Sequence, residues 1–267
     1  MSSMRGRLRL LKPKILEWLS VVLLAALIIV PLSILSWLIF FTNTFIIQTV
    51  TVVDARDHTA EKIQQETSSL IGKNILLIQP EIIEQSLADS IFQIHNIRVV
   101  RKLPSALKVV VQEKQPSLLL LSGGKYHFID RQGIAYEEAQ LDTLPGIVLP
   151  TIKNTGEHSN VVLGTAAVSE PFVTFILEAQ KSLPGATKAQ IAEIRIPSLS
   201  AREVHILLDT NWLIRFDTSR PLESQLNVLQ RLLEHTIPAE SHNQIEYIDL
   251  RIPNRVYYKL RNAPLTL

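Results

Sequence analysis

The run from Trp18 to Phe41, WLSVVLLAALIIVPLSILSWLIFF, holds 24 residues and no charge. A helix rising ~1.5 Å per residue over that length covers about 36 Å, enough to cross a ~30 Å hydrocarbon layer with some tilt. Buried helices of water-soluble proteins rarely stay apolar for so long. Residues 18–41 are therefore expected to cross a lipid bilayer. Pro31 does not forbid this, because membrane helices tolerate proline. Trp18 and Trp37 lie near the two ends, where amphipathic rings prefer to sit.

Charge sets the expected orientation. Residues 1–17 carry Arg5, Arg7, Arg9, Lys12 and Lys14 against Glu17, and the first charge after the apolar run is Asp54. Basic flanks stay on the cytoplasmic side, so the N-terminus is expected inside the cell and residues 42–267 outside it. A cleaved signal peptide is the rival reading. It fits poorly, because the apolar core exceeds ~15 residues and no small-x-small cleavage site stands out after it. The tail of residues 1–17 is too short to fold alone and reads as a topology signal.

Without the tail, 22 cations face 24 carboxylates. A mildly acidic body lacks the concentrated basic surface that phosphate binding needs, so no nucleic-acid partner is expected. The chain contains no cysteine. That excludes disulfides, thiolate metal sites and a cysteine nucleophile, and leaves core packing alone to hold any external domain together.

Patterning beyond residue 41 suggests two units. Phe45–Val53 is rich in β-branched residues and reads as a strand. Thr59 can cap a helix running to about Ile71 and ended by Gly72. Pro80 opens a second helix with Ile83, Leu87 and Ile91 on one face. Alternation then predicts strands at Ile97–Lys102 and Ala106–Glu113, joined as a hairpin at Pro104–Ser105. Strand, helix, helix, strand, strand makes a small α+β domain over residues 45–115.

Residues 116–262 have a different texture. Short strands are expected in SLLLL, KYHFID and IAYE, with turns at Gly123–Gly124 and Arg131–Gly133. LPGIVLP reads as an extended connection. Ser169–Glu170–Pro171 opens a helix to about Leu183, ended by Pro184–Gly185. Strands follow at Ile191–Ile196, Glu203–Leu208 and Trp212–Phe216. A helix from Pro221 carries Leu222, Leu226, Leu229 and Leu233 as an apolar stripe. The segment YIDLRIPNRVYYKL closes the unit, and residues 263–267 form a tail. The whole is expected to be α+β: one membrane helix, a small domain, and a mainly antiparallel β domain with two helices.

No catalytic motif emerges. The seven histidines (His58, His95, His127, His158, His205, His235 and His242) include no pair at metal-clamp spacing. His127 reads as a surface or edge histidine. Gly123–Gly124–Lys125 lacks phosphate-loop spacing, and no G-x-S-x-G elbow is present. Glu137 and Glu138 are successive strand residues facing opposite sides, which is wrong for a glycosidase pair. No cofactor and no metal are expected, and the odds move toward a binding or scaffold protein.

Three stretches resemble a known family: VTVVDARDHTAEKIQQETSSLIGKNILLIQPEIIEQSL, IHNIRVVRKLPSALKVVVQEKQP, and YIDLRIPNRVYYKL. YHFIDRQGIAYE fits as well. Their order and spacing are similar to the bacterial cell-division proteins of the FtsQ/DivIB family, which carry a polypeptide-transport-associated (POTRA) domain before a β domain. The resemblance implies a scaffold without catalysis, at the division septum, that links early and late division proteins. It implies partners of the FtsB and FtsL type, single-pass coiled-coil proteins that add a strand to the last edge of the β domain. Carried over residue by residue, that edge site comprises Tyr247, Arg251, Ile252, Asn254, Arg255, Val256 and Tyr258, with Asp249 and Leu250 in the same run. Ile252, Asn254, Arg255, Val256 and Tyr258 would lie on the contacting strand. Arg255, Tyr257, Tyr258 and Leu260 depart from the small residues and Trp of better-known members. Asn96, Val99 and Arg101 match a second recruitment surface on the POTRA strand. Two other classes remain open: a membrane-tethered envelope hydrolase, and a POTRA-bearing chaperone or transport accessory.

Overall fold

In this computed structural model the described residues are 12–139, 149–156 and 160–261, without the side chains of 12–17, 40 and 41. The start of the basic tail, His158 and most of the LPGIVLP connection lie outside the described residues. The chain divides into two compact units, Met1–Gln112 and Glu113–Leu267. The α+β class read from the sequence holds.

The first unit begins with helix α1 (Lys12–Phe41). Its apolar span Trp18–Ile39 is long enough to cross a membrane. Every side chain from Trp18 to Trp37 is exposed. A helix that is apolar all round and left uncovered by the described residues is suited to lipid. Pro31 supplies no N–H for the Leu27 carbonyl, yet the helix runs on. At its C-terminal end the Thr42 hydroxyl donates to the Leu38 carbonyl at 2.6 Å, and Asn74 Nδ2 donates to the Ile39 carbonyl at 2.6 Å. These bonds satisfy two of the carbonyls that a helix terminus leaves without partners.

The rest of the first unit is β1 (Thr49–Val53), α2 (Asp57–Thr67), α3 (Pro80–Ser90), β2 (Ile94–Lys102) and β3 (Ala106–Glu113). The first strand starts later than its β-branched residues suggest. Residues 45–47 pair instead with the loop after α2: the Ile47 N–H donates to Lys73 O at 2.9 Å, and the Ile75 N–H to Phe45 O at 2.7 Å. Thr59 does not cap α2, which starts at Asp57 and buries Thr59 in its second position beyond that start. Asp57 places its charge in the first turn, where the helix dipole favours it.

The three strands lie in the order β1-β3-β2, with β1 and β3 parallel. Leu107, Val109 and Val111 of β3 alternate inward and meet Ile63 of α2 and Leu87 of α3. Each fully buried aliphatic side chain of this kind contributes about 1.5–3 kcal/mol. The edge strand β2 is partly closed by its own helix: the Val99 N–H donates to Glu84 Oε1 of α3 at 2.6 Å.

The second unit contains β4 (Leu118–Ser122), β5 (Lys125–Ile129), β6 (Ala135–Ala139), β7 (Thr151–Asn154), α4 (Glu170–Thr187), β8 (Ile191–Ile196), β9 (Glu203–Leu208), β10 (Leu213–Asp217), α5 (Leu222–His235), β11 (Ile245–Asp249) and β12 (Tyr257–Leu260). The nine strands form one sheet in the order β12-β11-β10-β9-β8-β7-β4-β5-β6. Five pairings are antiparallel, while β4–β7, β7–β8 and β10–β11 are parallel. Two of the parallel contacts bracket a helix, α4 between β7 and β8 and α5 between β10 and β11. A crossover of that length is what lets consecutive strands run the same way.

Helix α4 passes through Pro184, where the sequence suggests a stop. The proline falls in the last turns, so only one carbonyl loses its donor. The helix ends instead at Lys188, whose left-handed backbone (φ 56) returns its N–H to Pro184 O at 2.8 Å. Phe172, Phe175 and Ile176 of α4 and Leu222, Leu229 and Leu232 of α5 pack on Ile206, Ile214, Phe216 and Ile248 of the sheet. His127 corrects the expectation of a surface position. It is buried, because β5 is an interior strand with Leu120 and Glu138 as its cross-strand neighbours.

Candidate docking edge

Strand β12 is the last described strand of the sheet. It pairs antiparallel with β11 through Ile248↔Tyr258 and Asp249↔Tyr257, and no described strand lies on its other side. The N–H of Arg261 turns inward to Gln244 O at 2.8 Å. Backbone direction alternates along a strand, so the N–H and C=O groups of Tyr258 and Leu260 face outward. An edge of this kind is a template for another chain.

The local sequence explains why the strand is short. Pro253 has no N–H to give a ladder, and Asn254 adopts left-handed backbone (φ 60), which turns the chain. Ile252, Asn254, Arg255 and Val256, expected on the contacting strand, therefore lie in the turn before β12. Tyr258 is the member of that set within β12, and Tyr257 beside it is also exposed. Arg220 fastens the turn from below, with Nη1 donating to Leu250 O at 2.9 Å.

A layer of charge adjoins the edge on the sheet face away from the α4 and α5 core. Arg251 Nε donates to Asp249 Oδ1 at 2.9 Å, and its Nη2 to Asp249 Oδ2 at 2.6 Å. Its Nη1 meets Glu203 Oε2 of β9. Arg215 of β10 approaches Asp249 Oδ2 at 3.8 Å and lies over the Tyr247 ring, 5.2 Å from its centre. His205 Nε2 is 3.3 Å from Glu203 Oε1. Burial alone would raise the Asp249 carboxyl, but the hydrogen bonds and charge of Arg251, with Arg215, hold it below the ordinary carboxylate range. The Asp249 hydrogen bond holds Arg251 firmly protonated. Burial pushes the His205 imidazole down, against the pull of Glu203.

Sequence reasoning found Asp249 and Arg251 but not Glu203, His205 and Arg215, which join them from other strands. The available signal was the alternation of charge with aliphatic residues in EVHILL and LIRFD. On β2, Asn96 and Arg101 are exposed, whereas Val99 is buried in the core of the first unit. The Val99 side chain cannot reach a partner, and its N–H is already held by Glu84. No cluster of three or more His, Asp or Glu side chains that could hold a metal occurs among the described residues.

An exposed apolar helix, a βααββ unit and a β domain ending in an edge strand together define a membrane-helix protein of the POTRA-plus-β-domain class. The family model "POTRA domain, FtsQ-type" matches residues 45–114, and "Cell division protein FtsQ/DivIB, C-terminal" matches residues 119–251. The chain belongs to the FtsQ/DivIB family of cell-division proteins. It is similar to the cell division protein FtsQ of Chloroflexus aurantiacus, 28% identical over 220 residues, covering 82% of this chain and 75% of that one. It is also similar to the FtsQ of Streptomyces collinus, 24% identical over 185 residues and 67% of each chain. The FtsQ of Chloroflexus aggregans is 27% identical over 220 residues, covering 82% of this chain and 75% of its own. Family membership gives the chain a role in cell division, in company with other division proteins.

Proposed function

We propose that this chain is a non-catalytic scaffold of the division machinery, anchored by α1 with its N-terminus in the cytoplasm. Its β domain takes up a segment of an FtsB- or FtsL-type single-pass coiled-coil protein as an added strand beside β12. The reading rests on one observation: among the described residues, β12 pairs on one side, with β11. The outward groups of Tyr258 and Leu260 give main-chain hydrogen bonds with little dependence on partner sequence, and neighbouring side chains then choose the partner. Tyr257 and Tyr258 supply exposed aromatic surface on the strand, and Ile252 supplies exposed aliphatic surface on the preceding turn. Asn254, Arg255 and Val256 shape that turn, while Tyr247 and Arg251 border the site from β11 and the bend that follows it.

Asn96 and Arg101 form a secondary recruitment surface on the first unit, with Val99 as its core support. A chaperone reading would put the receptive edge there, but Glu84 already occupies part of it. The test is photo-crosslinking in living cells from positions 257 and 258. Capture of small coiled-coil membrane proteins is the expected outcome. Capture at random, with the protein folded and at the septum, would sink the strand-addition reading.

A further inference from the structure

We propose that the end of the first unit beside Ile39 is a foot that rests in the bilayer interface. Ile71, Leu77 and Leu103 enter the headgroup layer, and Lys73 and Lys102 face anionic lipid. The proposal rests on reading α1 as a membrane span.

Three loops meet at this end. Asn74 Nδ2 is 2.6 Å from the Ile39 carbonyl, in the last turn of the apolar span. A group bonded there sits at the boundary of the hydrocarbon. The segment 45–47 pairs with 73–75, Gln48 N–H donates to Ser105 O at 2.8 Å, and Arg101 Nη2 donates to Ile78 O at 2.6 Å. These bonds tie loops 71–78 and 101–105 to the chain just leaving α1. Strands β1 and β3 both run away from this end, since Thr49 pairs with Ala106 and Val53 with Val110.

The apolar residues of these loops range from buried to exposed, with Phe45, Ile46, Leu76 and Ile78 half-buried. Ile47 and Ile75 are fully buried, whereas Ile71, Leu77 and Leu103 are 55%, 64% and 60% exposed. Single exposed aliphatic residues are ordinary on a protein surface. Here three converge where the membrane helix emerges. Segments 42–48, 71–78 and 101–105 contain three cations and no carboxylate. Glu66 and Glu81 stand behind them, near the C-terminus of α2 and in the first turn of α3. Aliphatic tips with cations beside them are the composition that settles at an anionic interface, where penetration reaches ~5–10 Å. At ~3.3 Å per extended residue, loop 71–77 stays within that depth of Asn74.

The absence of cysteine makes site-directed labelling clean. Full-length Leu27→Cys, His58→Cys, Leu77→Cys and Leu103→Cys variants carry nitroxides in bilayers of phosphatidylethanolamine and phosphatidylglycerol. Collisions with oxygen are compared with those of a water-soluble nickel chelate. Labels at 27, 77 and 103 are expected to favour oxygen, with 27 deepest, and the label at 58 to favour nickel. Adding Lys73→Glu and Lys102→Glu should raise nickel access at 77 and 103 in these bilayers, and leave it unchanged in phosphatidylcholine. Labels at 77 and 103 as open to nickel as that at 58, with 27 still shielded, overturn the foot and leave the span intact. An open label at 27 overturns the span itself. Spin–spin broadening that disappears on dilution with lipid assigns the patch to a second copy of the chain and also overturns the proposal.

Discussion

Arg251 grips Asp249 across two residues of one strand end, Nε to Oδ1 at 2.9 Å and Nη2 to Oδ2 at 2.6 Å, while its third nitrogen reaches Glu203 two strands away. The guanidinium thus fastens β11 to β9 over the intervening β10. The bend that leads to β12 leaves from this clasp.

Lysine cannot reproduce it, because a compact ammonium lacks the planar fork. Arg251→Lys should destabilise the β domain by about 1–2 kcal/mol, the range for charged hydrogen bonds at a partly exposed site. Urea denaturation of the full-length protein in detergent reads this. A double-mutant cycle with Glu203→Gln should show coupling, and independent effects would mean that the third contact contributes nothing.

Acid should loosen the same corner in two stages. The Asp249 carboxyl is held low in the folded state, so its contribution is complete above the ordinary carboxylate value of ~3.9 and is lost as pH falls through the folded one. His205 is also held low, and the unfolded chain binds its proton first. Stability should therefore already decline as pH drops below ~6.5, the free imidazole value. His205→Gln should flatten the upper limb of a stability–pH curve and Asp249→Asn the lower limb. Unchanged limbs would dissociate these groups from the acid response.

Proline distinguishes the two sides of β12. Tyr258→Pro removes a donor that faces outward and leaves the inward ladder of residues 257, 259 and 261 intact. It should weaken partner capture about tenfold or more, as loss of ~1.4 kcal/mol or above implies, with little change in melting temperature. Lys259→Pro should cost stability as well. If both variants melt alike and bind alike, the outward assignment of Tyr258 is wrong.

The helix stripe predicts a conventional core penalty. Leu229 is fully buried on α5 against the sheet. Leu229→Ala should cost about 2–5 kcal/mol by lost burial and a residual cavity. Leu226→Ala, at a half-exposed position on the same helix, should cost clearly less. Equal losses would contradict the packing described for α5.

The elements that the sequence made legible are those whose signal is local. A 24-residue uncharged run, the period of Leu222 to Leu233, and the alternation in β3, β8 and β9 each depend on near neighbours. The structure departs from the sequence expectation where distant segments compete for the same backbone. Residues 45–47 chose the loop at 73–75 over an early β1. Strand β7, four residues long beside a Pro-rich stretch, carries too little pattern to announce itself. The parallel pairings depend on where α4 and α5 return the chain, which no periodicity records. At the candidate edge, YIDLR was legible as part of the run that the family resemblance assigns to the partner site. Glu203 and Arg215 are 48 and 36 residues distant from Arg251 in sequence, so only the sheet order brings them together. At Pro253–Asn254 the turn signal of the residues prevails over the longer strand that the resemblance implies.

Strand β12 touches the sheet through β11, and β11 through β10 once the chain has crossed over α5. Among the described strands the outer rim comes last in both chain and sheet order, and its seat depends on β11 and β10. A chain cut short during synthesis, or one whose α5 fails to seat, has no rim to offer. Recruitment through that rim would double as quality control, admitting molecules whose sheet has reached β12 and passing over those whose sheet has not.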